Sequence, residues 1–194
     1  MRAFEQRKRG RVRAEFEVAE AALLVNLLSQ IVELLLDRNG PEESSPDPLF
    51  AQLGPSGSHL PPDDPVLKRL LPDAYSDDDD ASGDFRRFTE RSLSEAKVSN
   101  ARAVVASLAA GGLDVEDPES STDETIEVEL GPQGAQAWLR ALTDVRLALA
   151  TRLGIESEDD AERVAASEEE SVALVADIYE WLGFVQETLV QSLD

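Results

Sequence analysis

The chain has no cysteine. Disulfides, thiolate nucleophiles, thiolate metal sites and thiol redox sensing are therefore excluded. It has a single histidine, His59, in a proline-rich stretch. A Ser–His–Asp triad or a histidine-bearing metal site would have to use that one ring. Nothing around His59 has a metal-ligand spacing, so an exposed loop residue is expected. Neither a GxxxxGK[ST] string nor a GxGxxG string occurs, which removes the loops that cradle nucleotide phosphates. Paired carboxylates exist, but among 40 acidic residues their presence identifies nothing. These gaps argue against an enzyme, and no cofactor or metal is expected.

Positive charge is also scarce. Against 40 acids stand 18 Lys and Arg, a formal charge of −22. Such a surface repels phosphates and anionic lipid and favours basic protein partners. Six of the 18 basic residues precede position 14: Arg2, Arg7, Lys8, Arg9, Arg11 and Arg13. The string RKRGRVR (7–13) is thus the one basic island, and Arg7, Lys8, Arg9, Arg11 and Arg13 are candidate interaction residues. No aromatic platform interleaves them, so direct nucleic-acid binding is disfavoured.

A membrane span needs about 20 mostly apolar residues. The most apolar stretch, AALLVNLLSQIVELLL (21–36), is interrupted by Asn26, Ser29, Gln30 and Glu33, and is expected to be a core helix. The basic start runs into Glu15, Glu17 and Glu20, unlike a targeting segment. With no disulfides, a cytoplasmic protein is expected.

What is present patterns as one domain over 1–194, with mobile loops at 41–62 and 112–124. Gly10 sits where a hairpin must turn. A three-residue loop at Arg9–Arg11 would set Phe4, Gln6 and Lys8 opposite Phe16, Ala14 and Val12. A helix over 17–38 ends at Asn39-Gly40-Pro41. DPVLKRLLP (64–72) predicts a short helix, and helical spacing from Phe85 to Leu108 predicts a long one starting at Ser82 or Gly83. TIEVEL (125–130) alternates as a half-exposed strand, the natural third strand for the hairpin, with glutamates facing its basic residues. Pro132 opens a helix containing Trp138. A short acidic segment (156–166) follows, and Ser167-Glu168-Glu169-Glu170 has the form of a capping box. The last helix sets Leu174, Ile178, Trp181, Leu182, Val185 and Leu189 on one face. The fold class is mainly α (α+β): a bundle of about four long helices with a small three-stranded antiparallel sheet. Trp138 and Trp181 are read as core residues.

Two strings resemble sites. Asp77-Asp78-Asp79-Asp80 precedes Ser82-Gly83, which fits the start of a calcium loop from Asp78. The twelfth position is Thr89, however, where a bidentate Glu is needed. The aspartates read instead as acids gathered at a helix amino terminus. In FRRF (85–88), one of Arg86 and Arg87 must be drawn inward beside the phenylalanines. It then needs a carboxylate, with Asp144 and Glu187 as candidates for a structural ion pair.

Three strings in order, LLPDAYSDDDDASGDFRRFTERSL (70–93), WLRALTDVRLALATRLGI (138–155) and YEWLGFVQETLVQSL (179–193), resemble the AosR-like family of actinobacteria, also called DUF2017. The opening FEVAEAALLVNLLSQIVELL (16–35) fits it too. The resemblance implies a transcription regulator, working with an extracytoplasmic-function sigma factor in oxidative stress. Cysteine-based sensing in that family has no counterpart here. The resemblance also leaves an alternative, an adaptor or scaffold linked to Clp proteolysis or cysteine biosynthesis. The residues leave the oligomeric state open, with a core buried in a monomer favoured.

Overall fold

The computed structural model describes residues 1–40, 59–121 and 125–193. The described chain is mainly helical, with one small sheet. Strand β1 (Arg2–Arg7) and β2 (Arg11–Glu17) form the hairpin, and β3 (Thr125–Leu130) pairs antiparallel with β2, giving the order β1-β2-β3. The helices are α1 (Val18–Asn39), α2 (Pro65–Leu70), α3 (Asp79–Ala110), α4 (Pro132–Leu153), α5 (Glu158–Ala165) and α6 (Glu170–Gln191).

The hairpin turns one residue earlier than its sequence suggests. Lys8–Gly10 make the turn, with Arg9 (φ 66°) and Gly10 (φ 67°) both left-handed. The pairing is Glu5 with Arg13, Gln6 with Val12 and Arg7 with Arg11, not Gln6 with Ala14. An irregularity between Arg2 and Glu5 then shifts the register to Arg2 opposite Glu15. That shift leaves Phe4 in the core, where its ring meets Phe16 edge-on at 6.1 Å. The third strand lies as expected. Val12, Ala14 and Phe16 face Leu130, Val128 and Ile126 on the buried side.

Buried positions on α1 are Ala21, Leu24, Val25, Leu28, Ile31 and Leu35, the three-and-four spacing of a single stripe. By length and composition α1 is apolar enough to cross a membrane. Here it packs against β2, α3 and α4. Gly40 ends it at φ 65°, a conformation glycine adopts without steric cost.

Two helix starts differ from expectation. α3 begins at Asp79, because the Asp78 carboxylate accepts from the Ala81 N–H at 2.9 Å and supplies the cap there. Asp79 and Asp80 then occupy its first turn, where the helix dipole favours acids. The capping box expected at Ser167–Glu170 does not form. α6 starts at Glu170 with no side-chain cap, and Ser167 accepts only from the Glu169 N–H. The box sits ten residues earlier, where Ser157 and Asp160 open α5. On α6, Leu182, Val185 and Leu189 are buried and Ile178 and Trp181 are half-buried, but Leu174 is exposed.

Parts of both expected mobile loops are tied down. Residues 41–58 and 122–124 lie outside the described residues. His59 and Leu60 give their carbonyls to arginines, and Pro62 is buried. Leu113 is buried, and the Asp114 carboxylate accepts from the N–H groups of Glu116 and Asp117.

Two glycines make a paired prediction. A Cβ on Gly111 would lie 2.3 Å from the Glu127 carbonyl oxygen, which is fixed in β3. A Cβ on Gly83 would instead meet the His59 ring at 2.4 Å, and that ring is exposed and can swing away. Gly111→Ala should cost about 1–3 kcal/mol in urea unfolding. Gly83→Ala should cost clearly less.

Candidate functional site

The hairpin's outer face is nearly neutral. Arg11 pairs with Glu129 at 2.7 Å, and Arg13 with Glu127 at 2.5 Å and Glu15 at 2.9 Å. Arg2 pairs with Glu15 at 3.0 Å, and Arg7 with Glu5 at 3.4 Å. Four arginines thus meet four glutamates: Arg11 and Arg13 with partners on β3, Arg2 across the hairpin, and Arg7 within β1. Of the five candidate interaction residues, only Lys8 and Arg9 show no carboxylate partner among the described residues. Two exposed cations at a turn supply little of the phosphate neutralisation that sustained duplex binding requires.

The FRRF string behaves differently. Arg86 is the arginine drawn inside, at 6% exposure, while Arg87 lies outside with Asp84 at 3.8 Å. Its carboxylates are neither Asp144 nor Glu187. Arg86 Nε lies 3.2 Å from Glu90 one turn along α3, and a second nitrogen pairs with Asp73. Glu90 also accepts from Arg38 Nε at 2.8 Å. Both arginines reach onward to backbone: Arg86 donates to the His59 carbonyl at 3.0 Å, and Arg38 to that of Leu60 at 2.5 Å. One buried carboxylate therefore joins the end of α1, the middle of α3 and the strand of chain entering α2. The i,i+4 spacing of Arg86 and Glu90 was open to inspection in the sequence. Arg38, 52 residues from Glu90, carried no local signal.

Beside this network lies an open cleft of about 320 Å³ between α3 and residues 71–74. Leu71, Pro72, Ala74, Phe85, Thr89 and Leu93 line it. Its outer wall is held by Ser82, whose hydroxyl donates to the Tyr75 carbonyl at 2.7 Å and accepts from the Tyr75 N–H at 3.1 Å. His59, the sole histidine, stacks over Gly83 at the surface.

Asp144 pairs with Lys97, its Oδ1 2.5 Å from Nζ. Glu187 accepts from Gln191 on its own helix. Burial pushes Asp144 above its ordinary value near 3.8, and Lys97 offsets this only in part. Its folded form therefore holds a proton more tightly than its unfolded form. The stability this brings is complete below pH 3.8 and is lost as pH rises through the folded value. Urea midpoints of the wild type and Asp144→Asn should reveal it, with the wild-type advantage shrinking from pH 3.5 towards neutrality. Asp64 behaves oppositely. Burial raises it, but the Val66 and Leu67 N–H groups and Arg152 outweigh that and lower it. Its contribution is lost only as pH falls below 3.8.

Among the described residues no group of three His, Asp or Glu is placed to hold a metal ion. Asp78 caps α3, and Asp79 and Asp80 occupy its first turn.

The comparisons agree with one another. Residues 1–193 match the family described as "Domain of unknown function (DUF2017)". The chain is 37% identical over 185 residues to the AosR relative of Mycobacterium leprae (strain TN), covering 90% of this chain and 78% of that protein. It is 34% identical over 200 residues to the oxidative stress regulator AosR of Mycobacterium tuberculosis (strain ATCC 25618 / H37Rv), covering 97% and 85%. The same figures hold for the AosR of Mycobacterium bovis (strain ATCC BAA-935 / AF2122/97). No solved structure matches it significantly. With the family match running almost end to end and these relatives aligned over most of their length, the chain belongs to the AosR-like DUF2017 family.

Proposed function

We propose that the chain is a cytoplasmic regulator of the oxidative-stress response that acts by binding another protein, not by catalysis. The observation that carries this reading is its near full-length similarity to proteins named oxidative stress regulators. Its partner in this reading is a sigma factor of the extracytoplasmic-function class or RNA polymerase itself. Having no cysteine, the chain does not sense oxidant through a thiol. The signal then arrives through the partner or through the amount of protein made. The neutralised hairpin supports contact with protein over contact with duplex DNA.

A tagged copy purified from the native cytoplasm, with and without oxidant, tests this directly. Recovery of a sigma factor or RNA polymerase is the expected result. Recovery of Clp components or cysteine-synthesis proteins alone would replace the regulator with an adaptor.

A further inference from the structure

Phe85, Phe88 and Leu93 on α3 are 48%, 68% and 42% exposed. Phe85 and Leu93 line the cleft, Phe88 lies outside its lining, and Tyr75 meets the Phe85 ring edge-on at 6.2 Å. Large apolar side chains left in water beside a concave wall mark a binding surface more than a random exposed residue does. The wall is already formed, because the Ser82–Tyr75 bonds and the Arg86–Asp73 pair hold residues 73–75 against α3. Little ordering remains to be done on binding.

The surroundings of the cleft are acidic. Residues 71–93 carry seven Asp and Glu against three Arg, a net charge of −4. Arg86 is committed to Glu90 and Asp73, and Arg87 to Asp84, while Asp77–Asp80, in the chain between the cleft residues Ala74 and Ser82, are exposed. A second copy of this chain would bring another −22 to that rim. Phosphates and anionic headgroups are repelled for the same reason.

We propose that the cleft docks a basic amphipathic segment of the partner protein. A leucine or aromatic side chain enters between Phe85 and Leu93, and Lys or Arg side chains lie over Asp77–Asp80. This is a helix-in-groove mode, with an apolar anchor for affinity and charge for orientation. The proposal rests on the reading of the chain as a protein-binding regulator and names the surface and the chemistry.

The test uses the full chain and a fluorescein-labelled Leu/Arg amphipathic peptide of roughly 15 residues, read by anisotropy. Phe85→Ser with Leu93→Ser should weaken binding about tenfold or more. Asp77→Arg should weaken it too, and the peptide with Ser for Leu should bind poorly to all forms. These side chains are exposed, so melting temperatures should hold. Equal binding by wild type and the Phe85/Leu93 variant would reduce the effect to diffuse charge attraction and overturn the proposal. A wild-type dimer that the same variant dissolves in sedimentation would overturn it in favour of a second copy. The tagged purification separates the two readings. If the double variant still recovers the transcription partner, the cleft assignment fails and the regulator stands. If the wild type recovers none, the regulator reading fails whatever the peptide does.

Discussion

Glu90→Ala is expected to destabilise the fold by about 3–5 kcal/mol, lowering the melting temperature by roughly 10 °C. The Glu90 side chain is 5% exposed and is the carboxylate shared by Arg38 and Arg86, both largely buried. Removing it leaves two guanidinium groups facing one another with Asp73 as the one carboxylate still paired to either. Arg86 would retain Asp73 and the His59 carbonyl, and Arg38 only the Leu60 carbonyl. The damage should therefore centre on the end of α1 and the chain at 59–60. Glu90→Gln keeps one acceptor and should fall between the two. Arg87→Ala, at the half-buried neighbour of Arg86, should change stability by less than about 0.5 kcal/mol. Equal effects at Glu90 and Arg87 would mean that the network holds nothing.

Trp138→Ala is expected to cost a similar amount, about 3–5 kcal/mol. Its indole is fully buried and stacks on Phe16 at 5.5 Å with the planes 27° apart. Phe4 meets it edge-on at 5.6 Å. These three rings join the hairpin to α4, so the void would open between sheet and helices. Hydrogen exchange should then show β1 and β2 losing protection before α3 does. Trp138→Phe should be much milder. The indole N–H donates to Ser107 Oγ at 2.9 Å, but Ser107 keeps its own bond to the Val104 carbonyl at 2.7 Å. No buried hydroxyl is stranded by the smaller ring.

Much of the architecture was readable from period and punctuation. Alternation in TIEVEL, the stop at Asn39-Gly40 and the Pro132 start all led to elements where they lie. The same alternation marked the third strand, and placed Glu127 and Glu129 on its polar face opposite the basic hairpin. The failures share a cause, which is that several local solutions competed. The hairpin register depends on Arg9 accepting a left-handed conformation next to Gly10, and on an irregularity that no periodicity announces. The helix α5 has one buried residue, Val164, so its cap was its only signal, and Ser167 offered a rival. For the site, FRRF showed that one arginine must turn inward. Its partners are not Asp144 and Glu187 on other helices but Glu90 one turn along and Asp73 just upstream, positions local enough to need no long-range contact. Lys97 was the residue waiting for Asp144. The cleft could not be read at all, since it needs residues 71–74 folded back on α3.

The central claim is regulation through protein contact without a thiol. The most direct measurement is the transcript profile of the native host under oxidant, with the gene deleted and then restored. The account predicts that deletion alters the oxidant response and that the cysteine-free chain restores it, whereas the Phe85→Ser, Leu93→Ser form does not. An oxidant response identical with and without the chain would contradict it.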